Sequence, residues 1–339
     1  MRHRKTALIW SLLFLAGLLA GFWMLNPAEP SYQGRSVSAW LDDIPMPKNS
    51  TAAHAALKAI GSNAAPSIIR RLRQSESPLQ TKYRELFPRL PPQLAKLLPQ
   101  PKAEFRYFDG AGAFLDIGPG VEPILIHSLK DRSLSVRVAT ASALGSLRFF
   151  DGADIRDAIP GLTEALHDES KMVRLHAALA LGFTGPEAAS SVPALIPLLN
   201  DSEIQPGNSG RIFVRAAAAG ALGKIGPKAK AALPLLRSLL AEKDIYLRVV
   251  TAVAIWRIDA DVTNTLPVLI DGLTQIDENS RWEVYEGMAE MGPRAKAAVP
   301  LLVSQLGLPP TPVNSYNSQK ITNALQQIDP EAAAKAAMK

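Results

Sequence analysis

Prolines fall at Pro123, Pro160, Pro193, Pro234, Pro267 and Pro300, at steps of 37, 33, 41, 33 and 33 residues. An arginine follows four of them at an offset of fourteen, giving Pro123/Arg137, Pro160/Arg174, Pro234/Arg248 and Pro267/Arg281, and Pro92/Arg106 keeps that offset upstream. Pro193 reaches Arg215 only after eight further residues. This period belongs to a two-helix unit that cannot bury its apolar face alone and therefore stacks on copies of itself. The pattern predicts an all-α solenoid.

Residues 119–147 show one unit. Pro123 opens the first helix, A, where its missing N–H costs nothing. Ile124, Leu125 and Leu129 follow at helical spacing, and Asp131 and Ser133 interrupt the pattern as caps for the second helix, B. Val136, Ala139, Ala143, Leu144 and Leu147 form the apolar stripe of B, with small residues that permit close approach of neighbouring helices. Residues 158–183 and 232–258 repeat the design. Gly118-Pro119, Gly185-Pro186, Gly226-Pro227 and Gly292-Pro293 stand between units, the glycine ending a helix in the left-handed conformation and the proline preventing its continuation.

The unit resembles HEAT repeats. The resemblance rests on the helix-A proline, on an acidic residue near the A–B turn (Asp131, Asp168, Asp201) and on Val136-Arg137, Val173-Arg174 and Val214-Arg215 early in helix B. In two later units the acidic residue slides to Asp244 and Asp277. The array covers residues 51–328 with about seven to eight units, the higher figure applying if Pro66 and Pro92 each head one, and residues 74–117 match least well. Residues 329–339 read as a terminal helix fragment or tail.

Ahead of the array, Arg2, Arg4 and Lys5 in a basic stub (1–5) precede an uncharged apolar run over residues 6–25, long enough to span a bilayer. Trp10 and Trp23 lie near its ends. The run is longer than a usual signal-peptide core and no small-x-small site follows closely, so it reads as an uncleaved single-pass anchor; secretion after cleavage is the alternative. Basic residues stay on the cytoplasmic side, which puts the repeats on the outer, periplasmic side of the inner membrane. Residues 26–50 contain YQGRSVSAWL, similar to a short motif ahead of HEAT arrays in membrane-anchored bacterial proteins. Ser36 or Ser38 can cap a short helix bearing Val37, Trp40 and Leu41 that covers the first repeat.

The chain has no cysteine, which removes disulfides, thiolate metal sites and thiol nucleophiles. Residues 1–30 account for two units of the net charge of +6, leaving +4, and aromatics are 6% of the chain; neither indicates nucleic-acid binding. The histidines His3, His54, His127, His167 and His176 show no metal-ligand spacing, and His167 and His176 read as a turn and a helix-surface residue. The deoxyhypusine hydroxylase family carries His-Glu dyads on similar repeats; here His54, His127, His167 and His176 are followed by Ala55, Ser128, Asp168 and Ala177. No catalytic, cofactor-binding or metal-binding residue is predicted, and no cofactor.

Arg106, Arg137, Arg174, Arg215, Arg248 and Arg281 recur with Asp131, Asp168, Asp201, Asp244 and Asp277, predicting a structural ladder in which a carboxylate of the same or the next turn accepts each guanidinium fork. Two A–B turns are enlarged, at 201–213 and 307–319, so Glu203, Gln205, Asn208, Arg211, Asn314, Tyr316 and Asn317 are candidate partner-binding loop residues. The resemblance implies a membrane-anchored, non-catalytic, monomeric scaffold for a protein partner. The alternative it implies is an enzyme or accessory of the bilin-lyase type, holding a cofactor or substrate in its groove.

Overall fold

The computed structural model describes residues 29–46, 49–75, 77–91, 98, 105–201, 214–276, 280–306 and 312–337. The apolar run 6–25 lies outside them, as do Pro92, Glu203, Gln205, Asn208, Arg211 and Asp277. Among the described residues no helix is long and apolar enough to cross a membrane. The chain forms two compact units, Met1–Ile124 and Leu125–Lys339.

Among the described residues, the first unit begins with a hairpin, β1 (Ser31–Tyr32) and β2 (Arg35–Ser36). Its turn puts Gln33 and Gly34 at positive φ, which suits the twist of a two-residue hairpin. Helix α1 (Val37–Leu41) follows, capped by the Ser36 hydroxyl, which accepts from the Ala39 N–H at 3.3 Å. Val37, Trp40 and Leu41 are buried, and the Trp40 indole donates to the Tyr32 carbonyl at 3.2 Å. Helix α1 packs on α2 (Ser50–Ile60) and α3 (Ala65–Ser75). Arg71 of α3 is buried and lies 2.9 Å from Asp42 just after α1, so burial is offset by an ion pair. Helix α4 (Pro78–Leu86) follows. Helix α5 (Tyr107–Ile117) also packs against both α2 and α3.

Helix α6 (Glu122–Ser128) spans the boundary between units. In the second unit, α8 (Ile159–Ala165), α10 (Val192–Leu195), α12 (Leu233–Leu239), α14 (Val262–Gln275) and α16 (Val299–Leu306) are A helices. They alternate with the B helices α7 (Leu134–Asp151), α9 (Lys171–Thr184), α11 (Val214–Ile225), α13 (Ile245–Asp259), α15 (Trp282–Met291) and α17 (Pro312–Ile328). The terminal α18 (Pro330–Ala337) packs on α16 and α17. Each B helix packs on the next, from α7 to α17.

That B–B packing is backbone against backbone. A Cβ on Gly145 would stand 3.2 Å from the Ala180 Cα, one on Gly182 3.0 Å from the Ala221 Cα, and one on Gly223 2.7 Å from the Ala254 Cα. A glycine of one helix thus meets an alanine of the next at equivalent points of three successive interfaces, which lets the helices approach more closely than larger side chains would.

Three features differ from the sequence expectations. The stop glycines take positive φ with extended ψ, as at Gly118 (77°, −163°), Gly185 (75°, −141°) and Gly292 (56°, −137°), a region more restrictive than the left-handed helical one and essentially confined to glycine. Pro267 lies inside α14 rather than at its start, because Asp261 caps that helix early by accepting from the Asn264 N–H at 3.2 Å. The enlarged turn at 307–319 is helical from Pro312, so Asn314, Tyr316 and Asn317 belong to α17. Asn317 is buried in register with Ile321, Ala324, Leu325 and Ile328, an apolar stripe that the polar composition of the segment concealed.

Candidate functional site

The predicted arginine row has a specific geometry. Arg137 at the start of α7 donates from Nε and Nη2 to the two carboxylate oxygens of Asp168, at 2.7 and 3.1 Å. Its Nη1 donates to the carbonyls of Asp131 and Arg132 in its own turn, at 3.0 and 3.2 Å. Arg174 repeats this one unit on, with Nε 3.0 Å from Asp201 Oδ2 and Nη1 at 2.9 and 3.1 Å from the carbonyls of Asp168 and Glu169. The fork therefore reaches forward to the next turn while holding its own. Asp131 and Asp168 also accept from the N–H groups of Ser133 and Ser170, ordering the turns they occupy.

Further along, the partners change. Arg215 pairs with Glu242 at 2.7 Å rather than with Asp244, whose carboxylate instead caps α13 through the Leu247 N–H at 2.8 Å. Glu242 follows Arg215 by the 27 residues that separate Arg174 from Asp201, whereas Asp244 is two residues out of step. The Nε of Arg248 is buried without a hydrogen-bond partner among the described residues, and Arg281 donates to the Ile276 carbonyl at 3.0 Å. Arg106, in the first unit, is stacked 4.0 Å over Phe108. It sits twelve residues before Gly118, where Arg174, Arg215 and Arg281 sit eleven before Gly185, Gly226 and Gly292.

A second row lies on the C-terminal halves of the B helices. Counting nine residues from Arg174, Arg215, Arg248 and Arg281 gives Phe183, Lys224, Arg257 and Glu290. These four line one open groove of about 720 Å³, together with Phe149, Pro186, Pro227, Trp256 and Glu286. Arg257 donates from Nε to Glu290 Oε2 at 2.8 Å and from Nη2 to Glu290 Oε1 at 2.6 Å, with Glu286 3.4 Å away. Lys224 holds its ammonium 4.3 Å from the centre of the Phe183 ring. Burial lowers the Lys224 pKa, and Arg257 adds to that while Glu283, Glu286 and Glu290 oppose it.

Sharing Gly182, Lys224 and Arg257 with this groove is a slot of about 60 Å³ over α11. The face of α11 here is Ala216, Ala217, Gly220 and Ala221, too small to fill the space between Leu179 of α9 and Tyr246, Val250 and Val253 of α13. Lys224, Arg257 and Glu283 supply its charged groups. Burial pushes the Glu283 carboxyl up to about 7, Arg257 and Lys224 pull it down, and Glu286 and Glu290 raise it. Among the described residues Glu283 has no hydrogen-bond or ion-pair partner. The ninth-residue register was present in the sequence as mixed residue types, which is why a search for recurring identities misses it.

Beside the groove, α7 runs on to Asp151 and ends with Phe149 and Phe150, which are 59% and 70% exposed. Phe149 packs against Phe150 and against Phe183, with ring centres 4.9 and 4.8 Å apart. His167 is exposed in its turn, while His176 on α9 is half-buried and burial drives its pKa down to about 4. Among the described residues no cluster of three or more acidic or imidazole groups has metal-binding geometry.

The sequence profile described as HEAT repeats matches residues 121–207 and 159–256. No curated protein matches the chain. Among solved structures, the complex of CpcE and CpcF of phycocyanin lyase from Nostoc sp. PCC7120 is similar at 19% identity, over 92% of this chain and 96% of that one, with a TM-score of 0.48. A Kap121p mutant is similar at 14% identity, over 86% of this chain and 33% of that one, also with a TM-score of 0.48. An engineered protein is similar at 19% identity, over 64% of this chain and 93% of that one, with a TM-score of 0.38. Together the two matches cover residues 121–256, which are similar to HEAT repeats.

Proposed function

We propose that the chain is a non-catalytic scaffold that docks a protein partner on the B-helix face of its HEAT repeats, held at a membrane by residues 6–25 with the repeats on the outer side. The observation that carries this reading is the exposed Phe149–Phe150 pair at the edge of the groove. Large contiguous aromatic surface in water is costly to maintain, and aromatics dominate the energetics of protein interfaces. Stacked repeats provide an extended surface on which many shallow contacts sum.

A photocrosslinking phenylalanine analogue placed at Phe150 in intact membranes tests it. The expected result is a crosslinked protein of defined mass that disappears in a Phe149→Ser background. The same probe at Leu79, 80% exposed on α4, is the control. Crosslinking at Phe150 no greater than at Leu79 refutes the docking surface. The membrane part is separate: protease added outside spheroplasts should digest the repeats, and their protection refutes the orientation.

A further inference from the structure

The slot over α11 has a chemistry of its own. Its walls are Leu179, Tyr246, Val250 and Val253 and its floor is alanine and glycine, so it accommodates the stem of one side chain. Of the charged groups that line it, two are cations, Lys224 and Arg257, and one is an acid, Glu283. Arg257 is already engaged by Glu286 and Glu290. Lys224 has a ring beneath it and no carboxylate in ion-pair contact among the described residues. We propose that this slot receives an acidic side chain of an extended segment of the docked partner, a carboxylate on an alkyl stem, with Lys224 as its ion-pair partner and the Glu283 carboxyl as a hydrogen-bond donor to it. The inference rests on the docking reading and assigns the partner's chemistry at one point of the groove.

The donor role follows from the surroundings of Glu283. It faces Lys224 on α11, Arg257 on α13 and Glu286 and Glu290 on its own helix, and its carboxyl titrates at about 7. An incoming carboxylate adds negative charge beside it and so favours the protonated form, which can donate an O–H to the ligand. Binding then takes up part of a proton, and affinity falls as pH rises through neutrality. A cationic side chain would show the opposite slope, since it would require Glu283 ionised and would sit against Lys224.

The probes are the capped tripeptides Ac-Ala-Glu-Ala-NH2, Ac-Ala-Gln-Ala-NH2 and Ac-Ala-Lys-Ala-NH2, titrated into the full-length protein while the amide resonances of Gly220 and Gly223 are followed by NMR. The glutamate peptide should bind about tenfold to a hundredfold more tightly than the other two, the range of a charge-assisted hydrogen bond. Its affinity should be higher at pH 6 than at pH 8. Lys224→Met should erase the preference for glutamate, and Glu283→Gln should keep binding while flattening the pH dependence. Tighter binding of the lysine peptide, equal binding of all three, an affinity that rises with pH, or an absence of shifts at Gly220 and Gly223 each overturns the assignment. The comparison on the wild-type protein stands even if a variant fails to fold. Overturning it leaves the Phe150 crosslink intact, so the two readings fail separately.

Discussion

Replacing Gly223 by alanine sets two opposed effects against each other at one atom. In the last turn of α11 the substitution gains up to about 1 kcal/mol of helix propensity, because glycine loses more backbone freedom on folding than alanine. The added Cβ, however, would stand 2.7 Å from the Ala254 Cα and 2.9 Å from its Cβ. The nearer atom is backbone, so no rotamer change relieves it and α11 must move away from α13. Overpacking of this kind costs about 1–3 kcal/mol in cores, and here it also opens the flanking B–B interfaces. Set against the propensity gain, the expected net effect is a destabilisation of up to about 2 kcal/mol. Gly112→Ala in α5 is the matched reference: nothing lies within 4 Å of its Cβ position, so it should stabilise by about 0.5–1 kcal/mol. Because repeat arrays open locally, hydrogen exchange of α11 and α13 amides is a better readout than a single melting point. Ala254→Gly should rescue Gly223→Ala only in part, since it removes the methyl group of residue 254 and leaves its main chain in the way. If Gly223→Ala stabilises as Gly112→Ala does, the account of close B–B packing is wrong.

Three further outcomes follow from other residues. Arg174→Ala removes the fork that joins the Asp168 turn to Asp201 and should cost about 1–3 kcal/mol, with faster exchange confined to the flanking repeats; unchanged exchange and melting would remove its structural role. His176 has its pKa lowered from 6.5 to about 4, so the native state binds fewer protons than the unfolded chain in that window. The stability it contributes is present above pH 6.5 and lost as pH falls toward 4, up to about 3 kcal/mol, and His176→Gln should flatten that part of the profile in pH-dependent denaturation. Glu283 has its pKa raised from 4.5 to about 7, so its contribution is greatest below pH 4.5 and lost as pH rises through 7. Glu283→Gln should therefore stabilise at pH 8 more than at pH 5, and an equal effect at both would contradict the burial of that carboxyl.

The repeat was legible because its punctuation is local: a proline at a helix start and a glycine at a helix stop each act through the backbone of their own turn. Pro160, Pro193, Pro234 and Pro300 open A helices for this reason. Pro267 departs from the rule because a neighbouring cap, Asp261, moves the helix start, which position alone does not reveal. Asn317 misled because burial in α17 is set by periodicity with Ile321 and Leu325, not by the polarity of the residues around it. The site was harder to read. Lys224 and Glu283 share a slot across an intervening helix, and the space exists only because α11 presents alanine and glycine between larger neighbours. None of these residues is unusual alone. Their relation appears only when helices are laid in register, and the slip of one position at Arg106 shows how easily that register is lost.

The forward reach of the arginines bears on how such a chain can grow. At three successive joints, Arg137–Asp168, Arg174–Asp201 and Arg215–Glu242, a unit carries an arginine for its successor and a carboxylate for its predecessor, as Asp168 and Arg174 do within the unit between Arg137 and Asp201. A gene segment copied in tandem from one repeat to the same point of the next would bring both halves with it, so the new junction would be bonded at once. Extra residues between Asp201 and Arg215 fall after one bond closes and before the next begins, which makes that turn a place where length can be gained without breaking either. Arrays wired in this direction can lengthen by duplication and vary by insertion while every joint is inherited ready-made.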